Sequence, residues 1–141
     1  MRGLLFLATF LAFIGLAHSE TEAHSSSLDY AQVTNVTATQ KANGSWCFDV
    51  SVRHNDERWD HYANGWEVVD QKGLILGSRP LAHPHDNEQP FTRRQCNIAI
   101  PDTVAKVIVR AKCNVHGFGG KAVTVNLNSA TGAHYTVQHH K

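Results

Sequence analysis

The amino-acid sequence predicts an all-β fold, an antiparallel sandwich of about seven strands. Three observations lead to this class. Short segments of alternating apolar and polar residues recur at intervals of about ten residues, and turn-forming residues separate them. No segment after residue 19 has the apolar spacing of a helix, and the chain has no internal repeat.

The first 19 residues are predicted to be a signal peptide and not part of the fold. Arg2 gives a positive start, residues 3–17 form an apolar run, and small residues follow, so cleavage is expected before Glu20. The run is short for a membrane span, and no later segment is a candidate for one. We therefore expect an exported chain, periplasmic or secreted, with residues 20–29 as an N-terminal segment.

The strands are assigned where alternation runs between two turn signals. They are expected at residues 30–39, 45–54, 61–70, 74–78, 91–100, 105–113 and 121–127. Residues 71–73 form a tight hairpin turn, and prolines exclude a central strand from the loop at 79–89. The sandwich domain is expected over residues 30–127, and residues 128–141 are a polar, histidine-containing tail or a late edge strand. This pattern is typical of immunoglobulin- and fibronectin-like sandwiches.

The charge balance and the missing motifs exclude several functions. Removal of the signal peptide takes away Arg2, one of 13 basic residues, and none of the 12 acidic residues, so the mature chain is close to neutral. Without a basic run, no nucleic-acid partner is expected. The sequence also lacks a serine nucleophile motif, a phosphate-binding loop that leads into a helix, and a His-Glu-x-x-His motif.

Three cysteines in an exported chain leave one thiol over if a disulfide forms. Alternation directs Cys47 away from the apolar face of its strand, whereas Cys96 and Cys113 align with inward apolar positions. A Cys96–Cys113 disulfide is therefore one candidate pairing. In the alternative, Cys113 is a free thiolate and a metal ligand.

Five histidines lie on three loops that alternating strand directions place at one end of the sandwich. Imidazole is the commonest protein metal ligand, and converging loops can build a metal site. The candidate metal ligands are His54, His61, His83, His85, His116 and Cys113. Asp56, Glu57 and Asp60 are further candidates, as oxygen ligands or as acceptors for a ring N–H. The expected ion is copper or iron, since imidazole-rich sites suit both, and the expected role is metal capture, delivery or buffering.

Most of the mature chain resembles a family of small exported bacterial β-domain proteins without an established activity. The resemblance implies a periplasmic or secreted domain and no particular reaction. It is carried by Trp59-Asp-His-Tyr-Ala63, Trp66-Glu-Val68, Leu81-Ala-His-Pro-His85, Glu88-Gln-Pro-Phe-Thr-Arg93 and Val115-His-Gly-Phe-Gly-Gly120.

A shorter stretch, Cys113-Asn-Val-His116-Gly117, is similar to the Cys-Asn-x-His-Gly signature of superoxide reductase. The resemblance implies a mononuclear iron bound by Cys113, His116 and three further histidines. His54 and His61 are similar to a histidine pair of that family, with spacings that differ by a residue. The family's first histidine motif is missing from this sequence. The enzymatic alternative is therefore a superoxide-reductase-like iron enzyme.

A third alternative is a metal-free binding module whose loop end contacts a protein or a glycan, because loops on sandwich domains often carry recognition. Its predicted contact residues are Trp59, Tyr62, Phe91 and Phe118.

Overall fold

The computed structural model describes residues 24–140, so the predicted signal peptide lies outside the described residues. This part of the chain forms strands and no helix, which confirms the predicted all-β class. It also contains no helix that is long and apolar enough to cross a membrane. The strands are β1 Gln32–Gln40, β2 Trp46–Arg53, β3 Ala63–Asp70, β4 Ile75–Pro80, β5 Phe91–Ile98, β6 Lys106–Cys113, β7 Gly117–Phe118, β8 Val123–Asn126, β9 Thr131–Gly132 and β10 Tyr135–His139.

The strands form two sheets in a sandwich-like arrangement. One sheet has the order β5-β2-β1-β10-β9, and the other has the order β4-β3-β6-β7, with β8 also paired to β6. The pairing of β1 with β10 is parallel, and the other strand pairings are antiparallel. Because β7 and β8 pair with successive parts of β6, they lie end to end along one edge.

The seven predicted strands correspond to β1–β6 and β8, with ends that differ by one or two residues. The chain after residue 127 adds two strands to the first sheet. β10 pairs with β1 over five residues, and its Val137 is buried against the core. The alternation of Tyr135 and Val137 is what gives this segment one face that can pack inward.

The core between the sheets is built mainly from β-branched side chains, which suit the pleated surface of a strand. Burial of one such side chain stabilises the fold by roughly 1.5–3 kcal/mol. The largest side chains with essentially no exposure include Trp66, Phe48, Phe91, Val33, Val36, Val50, Val52, Val68, Val107, Val109 and Val125.

The disulfide joins Cys47 to Cys96, and Cys113 is free and buried. The candidate Cys96–Cys113 pairing is therefore wrong, and Cys113 is free, as the alternative requires. Alternation misleads here because the pairing of β2 with β5 shifts register just after Trp46, and Asn97 has a left-handed φ of 57°. Such an irregularity re-aims neighbouring side chains, and Cys96 consequently faces Cys47 on the adjacent strand.

Candidate metal centre

The loop that follows β2 folds back on itself and brings His54 and His61 together. The N–H of Glu57 donates to the carbonyl of His61 at 2.6 Å, and Arg58 takes a left-handed φ of 53° in the turn. The two imidazole rings lie edge to face, with centroids 4.6 Å apart. Their Nε2 atoms are 3.2 Å apart. His54 is fully buried, whereas His61 is half-buried and keeps one side towards solvent.

Cys113, the last residue of β6, completes a group of three metal-ligating side chains. Its Sγ and one ring nitrogen each from His54 and His61 all lie within 4.8 Å of one another. The thiol is 2% exposed, and the backbone N–H of His116 donates to Sγ at 3.2 Å. Two imidazole nitrogens and one sulfur that converge at this spacing form a donor set for a transition metal.

The backbone carbonyl of Asp29 points into the same group. Its oxygen is 3.2 Å from Nε2 of His54, 3.2 Å from Nε2 of His61 and 3.5 Å from Sγ of Cys113. Four potential donor atoms, three from side chains and one from the backbone, therefore surround one point. We call these four atoms the metal-donor cluster.

The segment that carries Asp29 is held against the sandwich by hydrogen bonds to its backbone carbonyls and by close backbone packing. The side-chain amide of Gln32 donates to the carbonyls of Ser25, Ser27 and Tyr30. A Cβ on Gly120 would lie 2.0 Å from the carbonyl oxygen of Ala31, so only glycine permits this close approach. The position of the Asp29 carbonyl is thus fixed by the fold and does not depend on the Asp29 side chain.

Asp56 orients the ring of His54 through its contact with Nδ1. Its Oδ1 lies 2.6 Å from Nδ1 of His54 and accepts the N–H of Ala63 at 3.0 Å, and its Oδ2 accepts the N–H of His85 at 2.7 Å. Burial raises the pKa of the Asp56 carboxyl, but the hydrogen bonds from His54 and from the His85 and Ala63 amides outweigh it and hold the pKa below its ordinary value. Asp56 is therefore a carboxylate acceptor for the ring N–H, the arrangement that fixes the tautomer of a metal-binding histidine.

The metal-donor cluster offers lone pairs that could hold a cation. In neutral His54, the contact with Asp56 assigns the ring proton to Nδ1, so Nε2 presents a lone pair. That lone pair faces the carbonyl oxygen of Asp29 and the Nε2 atom of His61 at 3.2 Å. Only the protons of His61 and Cys113 are available to separate these acceptors. A metal ion would satisfy all four atoms at once.

Asn114 ties the loop of His61 to the end of β6. Its Oδ1 accepts the N–H of Tyr62 at 2.8 Å, and its own N–H donates to the Tyr62 carbonyl at 3.1 Å. Its side-chain amide also donates to the carbonyl of Asp60 at 3.2 Å. These contacts fix His61 relative to Cys113, although the two residues are far apart in sequence.

The other predicted ligands lie around the metal-donor cluster and not in it. His116 is exposed, and its ring lies 5.1 Å from that of His61 and 5.0 Å from that of Tyr30 between centroids. His83 is exposed, with its Nδ1 2.9 Å from the carbonyl of Pro84. The structure thus brings His54, His61 and Cys113 together and leaves His83 and His116 outside.

His85 is buried beside the site without a partner for either ring nitrogen. Its ring stacks on Phe91 with centroids 3.9 Å apart, and the ring of His83 lies 4.5 Å away on centroids. Burial, followed by the charges of Arg93 and His83, lowers the pKa of His85. Its backbone N–H, not its imidazole, serves the site, because that N–H donates to Asp56.

The predicted contact residues of the binding-module alternative divide into two groups. Trp59 is 63% exposed and packs edge to face on Tyr62, with centroids 5.5 Å apart, and Phe118 is also exposed. Phe91 is 1% exposed and belongs to the core, so its predicted role as a contact residue is wrong. It begins β5, where its ring packs inward under His85.

Sequence reasoning identified the three side chains of the metal-donor cluster and named Asp56 as a possible acceptor for a ring N–H. It missed the carbonyl of Asp29, since a backbone atom leaves no signal in the residue type. It also missed Asn114 and Gln32 as the residues that fix the loops. For Asn114, the available signal was its position between Cys113 and His116.

The chain is similar to a protein of Halomicrobium mukohataei named "Putative lipoprotein", with 37% identity over 110 residues. The matched region covers 78% of this chain and 54% of the relative, so the chain spans about half the length of the relative that it matches. No protein-family model matches the chain. No solved structure matches it either.

Proposed function

We propose that this protein is an exported transition-metal-binding protein that holds copper or iron through His54, His61 and Cys113. The observation that carries the proposal is the convergence of two imidazole nitrogens and one Sγ atom within 4.8 Å of one another. The Asp29 carbonyl supplies a fourth, weaker oxygen donor at 3.2–3.5 Å from these atoms.

The local charge supports a divalent ion. A metal-bound cysteine is a thiolate, and the side chain of Asp56 is a fully buried carboxylate against His54. These two negative charges balance a divalent cation, and a buried charge needs such compensation. The soft thiolate together with two imidazoles suits copper, iron or zinc better than magnesium or calcium.

The accessibility of the site supports a role in metal capture, delivery or buffering. His54 and Cys113 are buried, so they hold the ion from inside the fold. His61 is half-buried and sits on the loop side of the metal-donor cluster, which leaves a route by which an ion can enter and leave.

Export is supported by three features. The first 19 residues have the composition of a signal peptide. The relative from Halomicrobium mukohataei is named as a lipoprotein, and lipoproteins are exported before they are anchored. The disulfide between Cys47 and Cys96 is also suited to an oxidising compartment. We place the mature protein in the periplasm or outside the cell.

The experiment that tests this proposal is a metal analysis of the untagged protein. The protein would be purified from cells grown with added copper, iron and zinc, and its bound metal would be measured by mass spectrometry. We expect near-stoichiometric copper or iron in the native protein and its loss in the variants H54A, H61A and C113S. The matched control is H83A, which removes an exposed histidine outside the metal-donor cluster.

The outcomes separate the three hypotheses. Copper or iron that is lost only in the cluster variants supports the proposal. Iron that is also lost in H116A favours the superoxide-reductase-like alternative, which requires His116 as a ligand. A folded protein that contains no metal and takes up none on challenge contradicts the proposal and favours the binding module.

A further inference from the structure

The composition of the metal-donor cluster points beyond storage of an ion. Two imidazole nitrogens, one cysteine sulfur and a weak backbone oxygen form the donor set in which proteins hold copper for electron transfer. The atoms of this set are Nε2 of His54, Nε2 of His61, Sγ of Cys113 and the carbonyl oxygen of Asp29. We propose that this protein carries a redox-active copper centre that takes up and releases one electron. This inference rests on the proposed function, since the site must first hold copper.

The ligands are fixed in a way that suits two oxidation states. Rapid exchange of an electron requires that the ligands move little when the copper charge changes. His54 is held by Asp56 at 2.6 Å in a fully buried contact. Cys113 lies at the end of a paired strand, and the Asp29 segment is held by the amide of Gln32. Three of the four donors therefore belong to parts of the fold that are already constrained before an ion enters.

The environment of the sulfur supports the same conclusion. The backbone N–H of His116 donates to Sγ of Cys113 at 3.2 Å. Hydrogen bonds to the cysteine sulfur and the nature of the weak axial ligand are the two features that tune the potential of a copper–thiolate centre. Both are supplied here by backbone groups, the N–H of His116 and the carbonyl of Asp29.

The route for the electron is the half-buried ring of His61. That ring lies against the exposed imidazole of His116 at 5.1 Å between centroids, and it connects the buried metal position with the surface. No proton is transferred in this step. A reduced one-electron carrier transfers one electron to Cu²⁺ and gives Cu⁺, and an oxidised one-electron carrier later removes that electron. The thiolate of Cys113 is a ligand throughout and is not consumed.

The test uses the full exported chain loaded with Cu²⁺, after removal of other metals with a chelator. Bound copper is measured by mass spectrometry, and absorption and electron paramagnetic resonance spectra are recorded on the same sample. We expect an intense visible thiolate-to-copper charge-transfer band and a narrow copper hyperfine splitting. Ascorbate should bleach the band, ferricyanide should restore it, and the copper content should stay constant through the cycle. C113S should lose the band, and the matched control H83A should keep it.

The readouts distinguish failure of this inference from failure of the proposed function. Stoichiometric copper without the band, or copper that leaves the protein on reduction, overturns the redox centre and leaves a metal-binding site. Iron or zinc bound in place of copper also overturns the redox centre and leaves a metal-binding site. A chain that binds no metal overturns both. Because C113S changes a buried side chain, its melting temperature is measured beside that of H54A, which should weaken binding through a different ligand.

Discussion

A cysteine lies near each end of strand β2, and the two are in different chemical states: one is in a disulfide and the other is a free thiol. At the Trp46 end, Cys47 forms a disulfide with Cys96 on the neighbouring strand β5. At the other end, His54 begins a loop that meets the free thiol of Cys113. One end is closed by a covalent bond whose strength is independent of any ligand. The other end is held together by hydrogen bonds among polar groups and by a set of converging donor atoms. Its stability therefore depends on whether an ion is bound.

Removal of the disulfide should have the largest effect, and it should act on stability and not on metal binding. The bond links residues 49 positions apart, and loss of a cross-link of that length destabilises a domain by about 4 kcal/mol through the entropy of the unfolded chain. We expect the variant C47A/C96A to lose about this much in chemical denaturation while it keeps its bound metal. The control is C113A, which should lose the metal with a much smaller change in stability. Equal metal loss in both variants would show that the two ends are not independent.

Asp56 is the residue on which the metal-binding end depends most. Its carboxylate is fully buried and has contacts with His54, Ala63 and His85. The substitution D56N places an amide N–H₂ opposite one of these donors, and we expect a loss of about 2–4 kcal/mol in the free energy of unfolding. Metal affinity should fall about 10–100-fold, because His54 loses its orienting partner.

Urea denaturation and a competition titration with a chromophoric chelator measure the two effects of D56N separately. D86N offers a matched control, because Asp86 has an ordinary hydrogen bond to the Arg58 amide in an exposed loop. Unchanged affinity in D56N would mean that the orientation of His54 does not depend on its carboxylate.

An ion should stabilise only the metal-binding end. A ligand that binds the folded state alone adds about 2.7 kcal/mol to its stability when its concentration is roughly 100 times Kd. We expect the melting temperature of the metal-free protein to rise when copper is added, and H54A to show no such rise. Thermal unfolding followed by circular dichroism, with and without copper, measures the difference. A rise of the same size in H54A would indicate that copper binds elsewhere on the chain.

The fold followed from the sequence more completely than the site did. Alternation between turn signals located the strands, because apolar side chains at every second position have to face the core. It misassigned Cys96, since the local irregularity at Asn97 is not visible in the alternation of apolar and polar residues. For the site, it identified the imidazoles and the thiol by their chemistry. It could not identify the Asp29 carbonyl, whose position follows only from the path of the chain across the finished sandwich.

The smallest effect should come from His85, whose buried ring nitrogens have no hydrogen-bond partner. Burial, then the charges of Arg93 and His83, lower its pKa below the ordinary value of 6.5, while Asp56 and Glu88 act in the opposite direction. Between the lowered pKa and 6.5, the unfolded chain binds more protons at this residue than the folded chain does. Stability contributed by neutral His85 is therefore present above about pH 6.5 and is lost as the pH falls through that window.

The substitution H85F keeps the ring stacked on Phe91 and removes the titrating nitrogens. We expect H85F to lose less stability than the native protein when the pH is lowered from about 7.5 to 5.5, since its side chain has no proton to gain. Urea denaturation of both metal-free proteins at a series of pH values measures this difference, with W59A as a control for substitution of an exposed aromatic residue. Identical pH slopes in H85F and the native protein would assign the acid sensitivity to other groups. A smaller slope in H85F would show that His85 contributes an acid sensitivity of its own, separate from metal binding.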